Sequence, residues 1–413
     1  MSAQTGIPAQ AMVALKDLAE NVLRLNGCPD DALDPGKFDG KARGLKDVLI
    51  LAHKEGLYGG FNYCDEDAVG WISSALESYG CRCNTLWVDD PQELHKWRYN
   101  PIVKGAVAGA DIMINLSSDL VTEEMSEFRD HIEECDTWMV RMFPVTAKLL
   151  MTDWAQTPYE LLIAIRQISS EPFNKLDQPF KMTDPNGTDL EGFTTLKKAK
   201  DGIPSMPYDS WRWEASHYLP FPEWVHPPIQ CYGINGVFKF HEMLSWWPRY
   251  IGIPPVWDND ITIEVEDCKM VNFSGGKEAD LLNKFFIEME SKLGPDMWKF
   301  DAFHFGIHPN AAVTEHQCPD ATYRRIIDHS NCCDLHVHVG SAGGKQGYYI
   351  YPHITGDIRH ATLKVGDTMV YEDGFLCCQE DPRLQKIMEK YPGRPGVQIR
   401  DSKLKMPFGG TGK

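Results

Sequence analysis

The sequence predicts two parts: an α/β unit with a mainly parallel sheet over residues 1–174, then an α+β unit on an antiparallel sheet over 175–413. Two observations carry that expectation. The first 170 residues alternate short apolar runs with helix-patterned stretches, the rhythm of an open α/β layer. Beyond residue 175 the pattern changes to alternating polar and apolar segments joined by turn residues. A third observation marks the chemistry: six of the fourteen histidines, His304, His308, His316, His329, His336 and His338, follow closely on one another, with His353 closing the set.

Taken in order, MSAQTGIPAQAMVALKDLAENVL has the pattern of an amphipathic helix and lacks the basic start and apolar core of a signal peptide. DVLILAHKEG (47–56) is a short apolar run ending in polar residues and Gly, as a buried parallel strand does. In DEDAVGWISSALESYG (65–80), Ala68, Ile72, Ala75, Leu76 and Tyr79 recur at helical spacing before Gly80. CNTLWVDD (83–90), ADIMINLSS (110–118) and TWMVRMF (137–143) repeat the strand pattern. T-P-Y-E (157–160) predicts a helix start with Thr157 as cap and Glu160 closing a capping box. No G-x-G-x-x-G follows the first strand, which argues against a dinucleotide site.

In the second half, MTDPNGTDLEGF (182–193) carries Asp-Pro-Asn-Gly turn chemistry. DITIEVEDCKMVNFSGG (260–276) reads as a hairpin turning at Glu266-Asp267, and EADLLNKFFIEMESKL (278–293) as a helix with Leu281, Leu282, Phe285 and Met289 on one stripe.

A net charge of −18 argues against nucleic-acid binding, which needs clustered Lys and Arg, and against an anionic membrane surface. No apolar run approaches the roughly 20 residues that span a bilayer. A cytoplasmic, homo-oligomeric protein is expected. Twelve cysteines, none in a C-x-x-C pair, are expected to be free thiols in a reducing compartment rather than a zinc framework.

Strand alternation through D-A-F-H-F-G-I-H-P-N (301–310) places Ala302, His304, Gly306 and His308 on one face and Phe303, Phe305 and Ile307 on the other. D-L-H-V-H-V-G (334–340) places His336 and His338 on one face in the same way, and Y-P-H-I-T-G-D (351–357) sets His353 four residues before Asp357. Three strands each offering an imidazole on a shared face would build a metal pocket, since imidazole and carboxylate are ligands for Fe(II), Mn(II) and Zn(II). A strand histidine also serves as a structural hydrogen-bonding residue; that reading suits His308, His329 and His360, and His316 reads as solvated.

T-D-P-N-G-T-D-L (183–190) resembles a motif of the aminopeptidase T type metallopeptidases and their relatives, among them the Fe(II)-dependent 2,5-dihydroxypyridine 5,6-dioxygenases. I-N-G-V (234–237), S-G-G (274–276), H-F-G-I-H-P, H-x-H-x-G and a final strand with His353 follow in the same order. The resemblance spans roughly residues 45 to 375. In the peptidase branch a bridging Glu precedes the proline; here His304 precedes Pro309, and Glu223 lies near the place of a further Glu. Imidazole in place of a bridging carboxylate disfavours two metals. The dioxygenase branch implies a mononuclear triad with a His at that strand and a later H-x-D. His304 and His353 match it, Thr355 stands at the Asp position, and Asp357 substitutes if the strand bulges at Gly356.

The resemblance therefore implies an Fe(II)-dependent ring-cleaving dioxygenase of the extradiol type, acting with O₂ on a hydroxylated aromatic or N-heteroaromatic substrate. Its metal ligands would be His304, His353 and Asp357, and its acid–base groups His336 and His338. Asp184, Asp189, His308 and Thr355 would contact substrate. The alternatives are a two-metal aminopeptidase and a catalytically silent ligand-binding relative. S-W-R-W-E-A-S-H-Y (210–218) and H-E-M-L-S-W-W (241–247) are candidate pocket linings or a subunit interface.

Overall fold

A computed structural model describes residues 6–25, 46–53, 64–88, 100–116, 131–132, 134–142, 144–195, 218–222, 225–240, 257–300, 302–319, 321–340 and 354–400. His353, Glu223 and the segments 210–217 and 241–247 lie outside the described residues.

Helix α1 (Ala9–Asp17) opens the described chain, followed by β1 (Asp47–His53), α2 (Glu66–Ser78), β2 (Arg82–Val88), α3 (Pro101–Ala108), β3 (Ile112–Asn115) and β4 (Trp138–Arg141). The strands pair in the order β2-β1-β3-β4, all parallel. The sheet and helices expected over the first 170 residues are present. Asp65 caps α2, its carboxylate accepting from Ala68 N at 2.8 Å. The buried stripe is Ala68, Val69, Ile72, Ala75 and Leu76, while Tyr79 lies just past the helix and donates its hydroxyl to Glu20.

Helix α4 (Tyr159–Ser170) is buried along nearly its whole length. Its start differs from the expected capping box. Thr157 turns back to close the preceding single helical turn, donating to Asp153 O at 2.8 Å, and Glu160 accepts from Tyr391. The donor at Tyr159 N is instead satisfied by the Asp17 carboxylate of α1, 2.9 Å away, which also pairs with Arg394 at 2.9 Å. A long-range carboxylate therefore does the work that local spacing assigned to Thr157.

The chain then builds a second sheet, in which every pairing is antiparallel. Strands β5 (Gln178–Thr183) and β6 (Asp189–Thr194) form the hairpin predicted around Asp-Pro-Asn-Gly. The short β7 (Tyr218–Pro220) crosses back and adds in parallel to β4 of the first sheet. The long β8 (Ile229–Phe240) pairs with β6 and with β9 (Ile261–Glu266), which turns into β10 (Lys269–Ser274). Asp267 and Cys268 both have positive φ, the conformation that two-residue hairpins favour. Helix α5 (Lys277–Leu293) buries Leu282, Phe286 and Met289, at i, i+4 and i+7; Leu281 is 37% exposed and does not belong to the stripe.

Strand β11 (Ala302–Phe305) precedes α6 (Ala321–Asp328), β12 (Leu335–Val339), β13 (Ile354–Ile358), β14 (Thr362–Val365), β15 (Thr368–Glu372), β16 (Phe375–Leu376) and α7 (Pro382–Met388). The sheet runs β13-β12-β11-β8-β6-β5-β14-β15-β16, with β9 and β10 branching from β8. One continuous apolar core joins residues of both sheets. Among the described residues no helix is long and apolar enough to cross a membrane, and the described cysteines are free thiols.

Because Asp17 is buried and holds both a helix start and Arg394, its removal should cost far more than a surface pair does. Asp17→Ala is expected to lower stability by about 2–4 kcal/mol in urea unfolding. Lys16→Ala, which removes an exposed pair with Glu20, should change it by less than about 1 kcal/mol.

Candidate metal centre

Strands β11, β12 and β13 lie side by side, and their register writes two rows across the sheet. His304 stands opposite His336, and His336 opposite Asp357. The next row is Ala302, His338 and Thr355. Alternation puts His304, His336, His338, Thr355 and Asp357 on one face. On the other face Phe303 packs against Phe173 and Phe180, and Phe305 against Tyr371, which holds the three strands to the core.

The His304 ring lies 3.9 Å, centroid to centroid, from those of both His336 and His338. Nitrogens of the three rings lie within 4.8 Å of one another, and His304 Nε2 faces His338 Nε2. His304 and His336 are buried; His338 is half-buried and forms the open side of the group.

The tautomer of His304 follows from its other nitrogen. Nδ1 lies 3.1 Å from the carbonyl oxygen of His226. A carbonyl only accepts, so Nδ1 carries the proton and a neutral ring presents Nε2 as a lone pair. His226 is itself fixed. Burial pushes its pKa down to about 3, so the ring is neutral; Nδ1 donates to Pro227 O at 2.7 Å, and Nε2 accepts the Ser170 hydroxyl at 2.8 Å. The ring stacks on Phe305 at 4.5 Å, and His226 N donates to Phe305 O at 2.8 Å. Local sequence around His226 gave no signal of this role, which depends on chain 78 residues away from His304.

Gly306 does more than leave room beside the histidines. A Cβ there would overlap the Ser330 and Asn331 carbonyls, so only glycine lets this turn approach β11. Gly306 N donates to Asp334 O at 3.0 Å and draws Asp334 to the site. Asp334 Oδ2 is 3.3 Å from His336 Nδ1 and 3.9 Å from His329 Nδ1. Ligand atoms of His329, Asp334, His336 and Asp357 form a second converging group, which shares His336 with the first. Burial, with Asp357 nearby, holds the Asp334 carboxyl well above the usual carboxylate range. Arg325 Nη1 lies 3.8 Å from Asp357 Oδ2.

The structure thus distributes the expected site residues unevenly. His304, His336 and His338 come together. Asp357 joins His329, Asp334 and His336 instead of the His304 group, because His336 lies between them in the register. The expected bulge at Gly356 is absent: pairing runs unbroken from Leu335↔Ile358 to Val339↔Ile354. Thr355 is buried next to His338. His308 lies past the end of β11, where Nε2 donates to Trp154 O at 3.0 Å and Nδ1 accepts from Asn310 N at 3.1 Å; it is a satisfied core histidine. Asp184 accepts from the backbone N–H groups of Asn186, Gly187 and Thr188 in the β5–β6 turn, and Asp189 pairs with Lys181. His329, which reads as structural in sequence, belongs to the second group, and Arg325 carries no local sequence signal at all.

Three imidazoles, one with its lone pair fixed inward, suit a divalent transition metal. No family model matches the chain, and no curated protein matches it. Among solved structures it is similar to 2,5-dihydroxypyridine dioxygenase from Pseudomonas putida KT2440, with a TM-score of 0.55 and 13% identity over 89% of this chain and 98% of that one. A likeness at that identity establishes a shared fold.

His304→Gln is expected to weaken Co(II) binding at least about 10-fold, measured by calorimetric titration, because a fixed donor is lost. His308→Gln should keep the affinity and lower unfolding stability by about 1–3 kcal/mol, because Trp154 O and Asn310 N lose a buried partner. Equal Co(II) affinity of wild type and His304→Gln would contradict the assignment.

Proposed function

We propose that this protein is a mononuclear non-haem Fe(II) dioxygenase that opens the ring of a hydroxylated aromatic or N-heteroaromatic compound of the dihydroxypyridine kind. The observation that carries the reading is the inward lone pair of His304, set by the His226 carbonyl and facing His338 and His336. The fold shared with 2,5-dihydroxypyridine dioxygenase supports the choice of reaction.

In this reading His304, His336 and His338 hold the metal, and the residues expected as acid–base groups become ligands. Three ligands leave positions open for substrate and O₂, as in the 2-His-1-carboxylate oxygenases, although here the third donor is imidazole. Bound Fe(II) would supply the redox chemistry that couples O₂ to an electron-rich ring. The chain's own groups orient and enclose. The Asp334 carboxyl lies 3.3 Å from His336 Nδ1, on the side of the ring toward Asp357. His338 lines the open side, where a flat substrate enters. The Thr355 hydroxyl, buried in register with His338, would hydrogen-bond a substrate hydroxyl. The apolar face of β11 and β12 keeps water from the opposite side of the sheet.

Protein reconstituted anaerobically with Fe(II) should consume O₂ with at least one member of a panel of dihydroxypyridines, hydroxypicolinates and aminophenols, with loss of the ring's ultraviolet absorbance. The Zn(II)-loaded protein should be inactive, since zinc has no redox chemistry. Equal turnover with Zn(II), or no O₂ uptake across the panel, would overturn the reading.

A further inference from the structure

The centre contains two groups of converging ligand atoms, and donor chemistry alone favours the one not assigned to the metal. His304, His336 and His338 offer three neutral rings, whereas His329, Asp334, His336 and Asp357 offer two imidazoles and two carboxylates. Carboxyl oxygens add to imidazole as donors there, so the second group should compete for a cation. We propose that Arg325 is a built-in cation that closes this second group and limits the centre to one metal ion per chain. The proposal rests on the metal reading above and goes beyond it by naming what sets the stoichiometry.

Arg325 is carried by α6 and is 1% exposed. Its Nη1 is 3.8 Å from Asp357 Oδ2. A guanidinium cannot shed its proton in a protein, so this positive charge is permanent. The charges acting on Asp334 are Asp328 and Asp357 on one side and Arg325 and Arg359 on the other.

A dication entering the second group would need Asp357 as a ligand within a few ångströms of Arg325, and repulsion at that range is strong in a buried site. The first group does not use Asp357: His304 lies two strands away from it across the row, and His338 stands in the next row and is half-buried.

The test counts ions. Wild type, Arg325→Lys and Arg325→Gln are each equilibrated with excess Co(II), freed of unbound ion by gel filtration, and assayed for cobalt per chain and for visible absorption. Wild type and Arg325→Lys should saturate at one ion, and Arg325→Gln at two, with a second absorption band. If Arg325→Gln does not fold without metal, two equivalents of Co(II) should restore its far-ultraviolet circular dichroism. Two ions in wild type, one in a folded Arg325→Gln, or an Arg325→Gln that stays unfolded with Co(II) overturns the proposal. Wild type that takes up no Co(II) overturns the metal reading, and this proposal with it.

Discussion

A single hydrogen bond, from His304 Nδ1 to the carbonyl oxygen of His226, sets the chemistry of the whole centre. Without it the ring could present either nitrogen, bonded to a proton or bare, to its neighbours. With it the protonated nitrogen points to backbone and the lone pair points to His338. The bond depends on a rigid acceptor, and His226 is rigid because its ring is buried, neutral, bonded at both nitrogens and stacked on Phe305. Ser170, which meets that ring, ends α4, and the start of α4 is held by Asp17 of α1. The first layer of the fold therefore reaches the imidazole group through a short chain of buried polar contacts.

Around this point the centre separates neutral from charged groups. The three imidazoles stand on β11 and β12, and the carboxyl groups of Asp334 and Asp357 lie just before β12 and on β13. His336 belongs to both sets, so whatever orients it couples them. Asp334 lies 3.3 Å from its Nδ1, brought near by the close backbone crossing at Gly306. A buried charge cluster of this kind is costly unless balanced, and Arg325 and Arg359 supply the balance.

Much of this was legible in the sequence where periodicity decides the structure. The apolar run at 47–53 and the stripe Ala68–Leu76 specify parallel strand and covering helix, and alternation in H-V-H placed His336 and His338 on one face. Register was not legible, because it is set between strands: His336 separates His304 from Asp357, and no property of either segment alone shows it. The bulge supposed at Gly356 failed for the same reason, since an unbroken ladder with β12 overrides the freedom of one glycine. Long-range polar partners were equally hidden. Thr157 and Glu160 have the spacing of a capping box, yet Asp17 from another helix satisfies the helix start. His308 shares the parity of His304 but falls past the end of the strand, where Trp154 and Asn310 claim it.

The most direct test of the central claim is to locate the ion itself. A crystal of the Co(II)-loaded protein, measured on both sides of the cobalt absorption edge, gives an anomalous difference map that shows only the metal. The account predicts one peak per chain, within about 2.0–2.1 Å of a ring nitrogen of each of His304, His336 and His338. A peak among Asp334, Asp357 and His329, or no peak near these strands, would contradict it.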